Sequence, residues 1–196
     1  MPGVSEEFAG YSEAISTPFK GNASFLYPVP GADGEDEAPP ETGEDGEEIE
    51  VERFSEGHRL AYMVAKIDKD VAVVPKGAYQ VDAAHQVVPA AAYAGLPYAA
   101  AGELRNYFHL RAPESARAKA ALAKPGLVRE SDFMDPLTAD QPSGAWSLTY
   151  DPSHTLATLR SFYWPGYFFF SKVGKGEFGG VYVGDGLPNL DLAFML

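Results

Sequence analysis

The chain has no cysteine. That excludes disulfides, thiolate zinc sites and cysteine nucleophiles, and it suits an intracellular protein. Long apolar runs are also missing. No stretch of about 18 apolar residues occurs, so no segment reads as a membrane-spanning helix, and "MPGVSEEFAG" has neither the basic nor the apolar region of a signal peptide. Positive charge is scarce, with 15 Lys and Arg against 28 Asp and Glu. No basic stripe is present to attract phosphates, which argues against nucleic acid as a partner.

The net charge of −13 is not spread evenly. Residues 33–56 hold twelve acids and one base, Arg53, for a net of −11, which leaves sixteen acids and fourteen bases elsewhere. This segment, "DGEDEAPPETGEDGEEIEVERFSE", has too few apolar side chains to offset the entropy of ordering it. It reads as a disordered acidic loop or linker, either a solvated spacer or a docking segment for a basic partner. It separates a partly ordered segment, residues 1–32, from a β-rich globular domain spanning 57–196. Within the first segment, "SFLYPVP" is the candidate for burial.

From Gly57 the pattern changes. Leu60, Tyr62 and Val64 alternate as in a half-buried strand, Asp68–Asp70 reads as a turn, and "VAVVPKGAYQV" continues a meander broken at Pro75–Gly77. Pro97–Leu110 reads as a short helix with Leu104, Tyr107 and Phe108 on one face. "PESARAKAALAKPG" reads as a second, started at Ser115 and stopped by Pro-Gly. Residues 145–184 then read as four strands in up-and-down order. The breaks are Asp151-Pro152-Ser153, Trp164-Pro165-Gly166 and the glycine-rich loop after Lys172. The fold expected is α+β and β-rich: largely antiparallel meanders and hairpins, with two short helices between the β segments.

Gly174–Gly179 spells G-x-G-x-x-G. A dinucleotide site needs those glycines to open a helix, yet "GGVYVGDG" is strand-like, so the loop reads as a hairpin connection. Its glycines would then serve positive φ or close backbone approach. The alternative is a small nucleotide-binding enzyme built on this loop. His58, His85, His109 and His154 have no metal-ligand spacing. Asp151, Ser153 and His154 crowd into one turn and cannot line up as a triad; Asp132 and Asp135 form no evident carboxylate pair. No catalytic, metal or cofactor site is expected.

Aromatics are more telling. Phe162, Tyr163, Trp164, Tyr167, Phe168, Phe169 and Phe170 fall within nine positions. Either both faces of a sheet are covered, or one face meets a partner. The tail "LPNLDLAFML" is apolar, and Leu190, Leu192 and Phe194 alternate as in an added strand. Candidate partner-interface residues are therefore Phe162, Trp164, Tyr167, Phe169, Leu192, Phe194, Met195 and Leu196.

The last third closely resembles the C-terminal end of the radial spoke head protein 9 family. The segments that carry the resemblance are G-x-W-S at Gly144–Ser147, L-R-S…W-P-G at Leu159–Gly166, Y-V-G-x-G at Tyr182–Gly186 and N-x-D-L-x-F-M-L at Asn189–Leu196. "IDKDVAVVPKGA", "YFHLRAPE" and "SDFMDPL" extend it upstream, so it covers Gly57–Leu196. Residues 1–30 match thinly, and family members carry a sizeable region ahead of the point where this chain starts. The resemblance implies a non-catalytic structural subunit of the radial spoke head, in the axoneme of motile cilia and flagella, that relays mechanical signals from the central pair to dynein arms. It also implies partners: spoke head 4/6-type proteins and other head subunits, in an assembly with two-fold symmetry, with no nucleic acid and no membrane.

Overall fold

A computed structural model describes residues 5–28, 41–42, 48–49, 53–123 and 133–195. The chain forms two compact units, Met1–Lys66 and Ile67–Leu196. Elements follow in the order α1 (Glu6–Ala14), β1 (Glu41–Thr42), β2 (Glu48–Ile49), α2 (Glu56–Val71), β3 (Val73–Pro75), β4 (Tyr79–Val81), β5 (Val87–Pro89), α3 (Tyr98–Ala101), β6 (Tyr107–His109), α4 (Ala116–Leu122), β7 (Trp146–Tyr150), β8 (Leu156–Ser161), β9 (Tyr167–Lys172), β10 (Phe178–Tyr182) and α5 (Leu192–Met195). Short 3-10 turns lie at Leu104–Asn106 and Leu137–Ala139. Among the described residues all strand pairs are antiparallel, and the class is α+β, β-rich.

In the N-terminal unit, Ser5 caps α1 by accepting from the Phe8 amide at 3.2 Å, with Glu6 and Glu7 in the first turn where the helix dipole favours them. Phe8 packs on Phe54, Tyr11 and His58. Of "SFLYPVP", residues 24–28 are described, and there Phe25 and Leu26 are exposed, while Phe8 is buried. Two polar side chains of α2 tie the segment 15–27 down. Arg59, fully buried, donates to the Tyr27 hydroxyl (2.9 Å) and to the carbonyls of Thr17 (2.6 Å) and Ile15 (3.3 Å), with Phe19 stacked 4.4 Å from its guanidinium. Glu56, also buried, accepts from the amides of Lys20 and Asn22 (2.8 Å) and from the Tyr27 hydroxyl (3.0 Å). Most of the acidic segment lies outside the described residues. Within it, Glu41 faces Ile49 and Thr42 faces Glu48 in a two-residue ladder.

The strand read at 59–65 is the helix α2. Its buried residues Arg59, Met63, Ile67 and Val71 recur every four positions, a helical stripe. Leu60 and Val64, two of the three residues of the apparent alternation, are exposed. Asp68–Asp70 is consequently the last turn of α2 rather than a turn between strands. The boundary between the units falls inside this helix; the sequence places the start of the β-rich domain at Gly57.

In the C-terminal unit the meander after α2 is rearranged. β3 pairs with β6, and β4 pairs with β5. The helix read over Pro97–Leu110 stops at Ala101, and Tyr107 and Phe108 enter β6, because β3 offers them a partner edge. The second helix holds, as α4, with Ser115 Oγ accepting from the Ala118 amide at 3.2 Å; its Pro-Gly stop lies outside the described residues.

The four-strand reading of 145–184 also holds, with order β10-β9-β8-β7. Each reversal has a local cause. After β7, Asp151 accepts from the amides of Thr155 and Leu156 at 2.7 Å each and from the Ser153 hydroxyl. The Ser153 hydroxyl, then these amides, hold its carboxyl far below the usual range. After β8, Gly166 sits at φ +94 with its Cα against the Val183 carbonyl. The inward residues Ala157, Leu159, Ser161, Tyr167, Phe169 and Ser171 are buried. Leu159 faces Phe169 across the ladder, and Tyr107 of β6 meets Phe169 edge-on at 6.0 Å. The β3–β6 ladder thus packs on the inner face, and each large side chain buried there contributes about 1.5–3 kcal/mol.

Two measurements check this description. A Cβ on Gly166 would lie 2.0 Å from the Val183 carbonyl oxygen at positive φ, whereas one on Gly179 would touch nothing within 4 Å. Chemical denaturation should therefore show Gly166→Ala losing more than about 1 kcal/mol and Gly179→Ala staying within about 0.5 kcal/mol. The second concerns Glu56. Burial raises its pKa, and the hydrogen bonds from Lys20, Asn22 and Tyr27 outweigh that and lower it. A depressed folded-state pKa gives stability that is present above the unfolded glutamate value, about 4.3, and is lost as pH falls below it. Acid titration followed by NMR should show the Lys20 and Asn22 amides releasing in that range, and Glu56→Gln should remove the dependence.

Candidate interaction surface

The glycine-rich loop is a strand connection, since β10 begins at Phe178 where a phosphate-binding helix would have to start. Its backbone is already engaged. The Gly174 amide donates to the Leu96 carbonyl at 2.7 Å, and the Lys175 amide to the Lys172 carbonyl at 3.2 Å. Space is taken too: a Cβ on Gly176 would lie 2.9 Å from the Tyr93 carbonyl oxygen, and one on Gly95 would lie 2.2 Å from the Lys175 carbonyl oxygen. Gly174 uses positive φ, at +66, and Gly176 and Gly180 use close approach. Gly179 uses neither, contrary to the sequence reading, because its outer face is open.

The histidines fall apart in space. His85 and His154 occupy turns with positive φ; the His154 ring lies tilted against Tyr98 and Tyr150. His58 Nδ1 accepts from the Ser55 amide at 3.1 Å at the start of α2. Only His109 belongs to a constellation that sequence spacing could not reveal. Its Nε2 lies 2.8 Å from Asp140, whose other oxygen accepts from Trp146 Nε1 at 2.7 Å. A triad would need a nucleophile on the second nitrogen. Nδ1 makes no hydrogen bond among the described residues, so the group acts as a tie between β6, the Leu137–Ala139 turn and β7. Asp135 is likewise structural: it accepts from the amides of Glu114 (2.6 Å) and Ser115 (3.3 Å) ahead of α4 and pairs with Arg111. Asp132 lies outside the described residues. Among those described, no cluster of three potential metal-binding side chains occurs, and no helix is long and apolar enough to cross a membrane. An apolar cavity of about 340 Å³ opens between Tyr79, Val87, Leu110, Leu122, Phe133 and Met134.

The interface candidates divide by strand alternation. Trp164, Tyr167, Phe169 and Leu192 are buried inside the unit, so they are core rather than contact surface. Trp164 donates through its indole N–H to Asp70 at 3.0 Å, and its amide donates to Ser161 Oγ at 3.0 Å. Phe162 is half-buried, with the Arg160 guanidinium 5.5 Å above its ring. On the same outer face, Phe168 and Phe170 stack in parallel at 6.4 Å.

The tail is a helical turn, not an added strand. Asn189 Oδ1 accepts from the Asp191 amide (3.2 Å), and the Phe194 amide then bonds the Asp191 carbonyl (2.9 Å), which closes a turn and rotates alternate residues apart. Leu192 points in, while Leu190 and Phe194 are 77% and 89% exposed. The segment is pinned nonetheless. The Asn189 amide donates to the Tyr163 carbonyl at 2.7 Å, and the Val183 amide to Gly166 at 3.0 Å. Val183, 77% exposed, therefore joins Leu190 and Phe194 around the Trp164-Pro165-Gly166 reversal. Sequence reasoning missed Val183 and Leu190 as surface groups. Met195 closes α5, and Leu196 lies outside the described residues.

Known proteins similar to the chain agree with one another. The protein described as radial spoke head protein 9 homolog of Danio rerio is 43% identical over 150 residues, covering 76% of this chain and 54% of that protein. Its Homo sapiens counterpart is 34% identical over 200 aligned positions, covering all of this chain and 70% of that protein. The Bos taurus one is 39% identical over 150 residues. The chain thus spans about half the length of the zebrafish and bovine relatives. No family model matches the chain.

Calorimetric titration of the chain with ATP and with NAD should give no binding heat. Gly176→Val, which presses on Tyr93, should lower the melting temperature instead. Micromolar binding that disappears in Gly176→Val would overturn the structural reading of the loop.

Proposed function

The chain belongs to the radial spoke head protein 9 family, and on that premise we propose that it is a non-catalytic structural subunit of the radial spoke head. Its place is then the axoneme of motile cilia and flagella. There the assembled head meets the central-pair apparatus, and the spoke relays mechanical signals to the dynein arms. Its direct partners are spoke head 4/6-type proteins and other head subunits, in an assembly with two-fold symmetry.

The observation that carries the reading is the pinned tail. Leu190 and Phe194 are held out into solvent by a segment that is itself anchored through Leu192 and Asn189. Ordering such a segment costs entropy, and two large apolar groups on it gain nothing from water. A protein surface that covers them recovers that cost, and aromatic anchors of this kind dominate binding energy at interfaces. We assign this patch, with Val183 and Phe162 at its border, to a spoke head 4/6-type subunit.

Co-expression with a spoke head 4/6-type protein tests the assignment. Leu190→Ser/Phe194→Ala should leave the melting temperature of the isolated chain unchanged and should reduce co-purification at least about tenfold, the effect of losing a hot-spot residue. Undiminished capture by the double variant would refute it.

A further inference from the structure

The four-stranded sheet ends in two edges that differ. β7 carries Trp146, which is buried, and Leu148 and Tyr150, which are half-buried. β10 is open, with Gly179, Gly180 and Val181 all exposed.

The direction of the free backbone groups follows from the ladder. Along an antiparallel strand, alternate residues either exchange both bonds with their opposite or turn both groups away. The Lys172 amide donates to the Glu177 carbonyl at 2.9 Å and the Val183 amide to the Gly166 carbonyl at 3.0 Å, and the register is unbroken between them. Glu177, Gly179, Val181 and Val183 therefore face β9. Phe178, Gly180 and Tyr182 direct their N–H and C=O groups outward, and no other backbone group among the described residues meets them. Proteins guard such edges with lysine, proline or a bulge. From Phe178 to Gly184 there is no charged residue, no proline and no bulge.

We propose that β10 pairs antiparallel with β10 of a second copy of this chain, about a two-fold axis through Gly180, so that two sheets become one. This goes beyond the family role and does not depend on it. The strand is self-complementary in this register. Gly180 opposes Gly180 of the partner subunit, and Phe178 opposes Tyr182 of the partner subunit, so that all outward groups are used in about six backbone bonds. On the outer face Gly179 opposes Val181 of the partner subunit, a small residue against a branched one. A shift of two residues sets Tyr182 or Phe178 against a residue beyond the strand and leaves about four backbone bonds.

The test uses the full chain in sedimentation equilibrium, with a double variant that leaves the β9 ladder intact. A Cβ at position 179 meets nothing within 4 Å, and Val181 is 45% exposed, so both sites accept substitution. The parent should dimerise reversibly in the micromolar range. Gly179→Lys/Val181→Lys sets like charges opposite one another and should weaken the dimer at least about tenfold, with an unchanged melting temperature. Gly179→Lys/Val181→Glu should restore it. In a chain with no cysteine, oxidising an equimolar mixture of Gly179→Cys and Val181→Cys chains should give a mixed covalent dimer while neither variant alone cross-links, because this register sets 179 opposite 181 in a closely spaced non-bonded pair. A chain that is monomeric throughout, a dimer indifferent to the lysines, or failure to cross-link overturns the proposal. So does a monomeric chain whose lysine variant loses a different protein, since the edge would then belong to that partner.

Discussion

The indole of Trp164 is the fixed point of the C-terminal unit. A buried tryptophan needs a partner for its N–H, and Asp70, in the last turn of α2, supplies it. The same residue's amide is taken by Ser161 Oγ, which ends β8. With the ring held, Pro165 and Gly166 have one way to continue, and the reversal brings Gly166 against Val183. One hydrogen-bonded ring thereby fixes where β9 begins, where β10 ends and where the tail is attached. Trp146 repeats the device at the far edge, with Asp140 and His109. In both cases a carboxylate joins a tryptophan, one in a strand and one in a reversal of the sheet, to an element outside the sheet.

What could be read in the sequence followed from how local its cause was. The hairpins of 145–184 are set by Asp151, by Trp164-Pro165-Gly166 and by the glycines after Val173, each acting within a few residues, so they were legible. α4 was legible for the same reason, through Ser115. α2 was not, because Leu60, Tyr62 and Val64 happen to alternate while its true stripe runs through Arg59, a charged residue that a hydrophobic pattern omits. Arg59 is buried only because distant carbonyls of Ile15 and Thr17 reach its guanidinium. The β3–β6 pairing was hidden similarly: it joins segments some thirty positions apart in the sequence, and no residue near either one announces it.

The aromatic run of 162–170 posed two alternatives, an internal core or a partner face, and strand alternation divides it between them. Tyr167 and Phe169 enter the core; Phe168 and Phe170 stack on the opposite face beneath Arg160. For the tail, the same alternation misled, because Asn189 turns the chain before a strand can form. Of the surface that results, the sequence named Phe194 and Phe162, and not Val183 or Leu190.

The distribution of tryptophan has a spectroscopic consequence. Both indoles, at 146 and 164, lie in the unit spanning 67–196, each with its N–H on a carboxylate and its ring shielded from water. The unit spanning 1–66 contains tyrosine but no tryptophan. Emission excited at the red edge of the absorption band thus reports one unit alone, while tyrosine absorption and helical dichroism sense both. The molecule carries its own pair of optical labels, and the order in which its two units come apart can be followed without adding a probe.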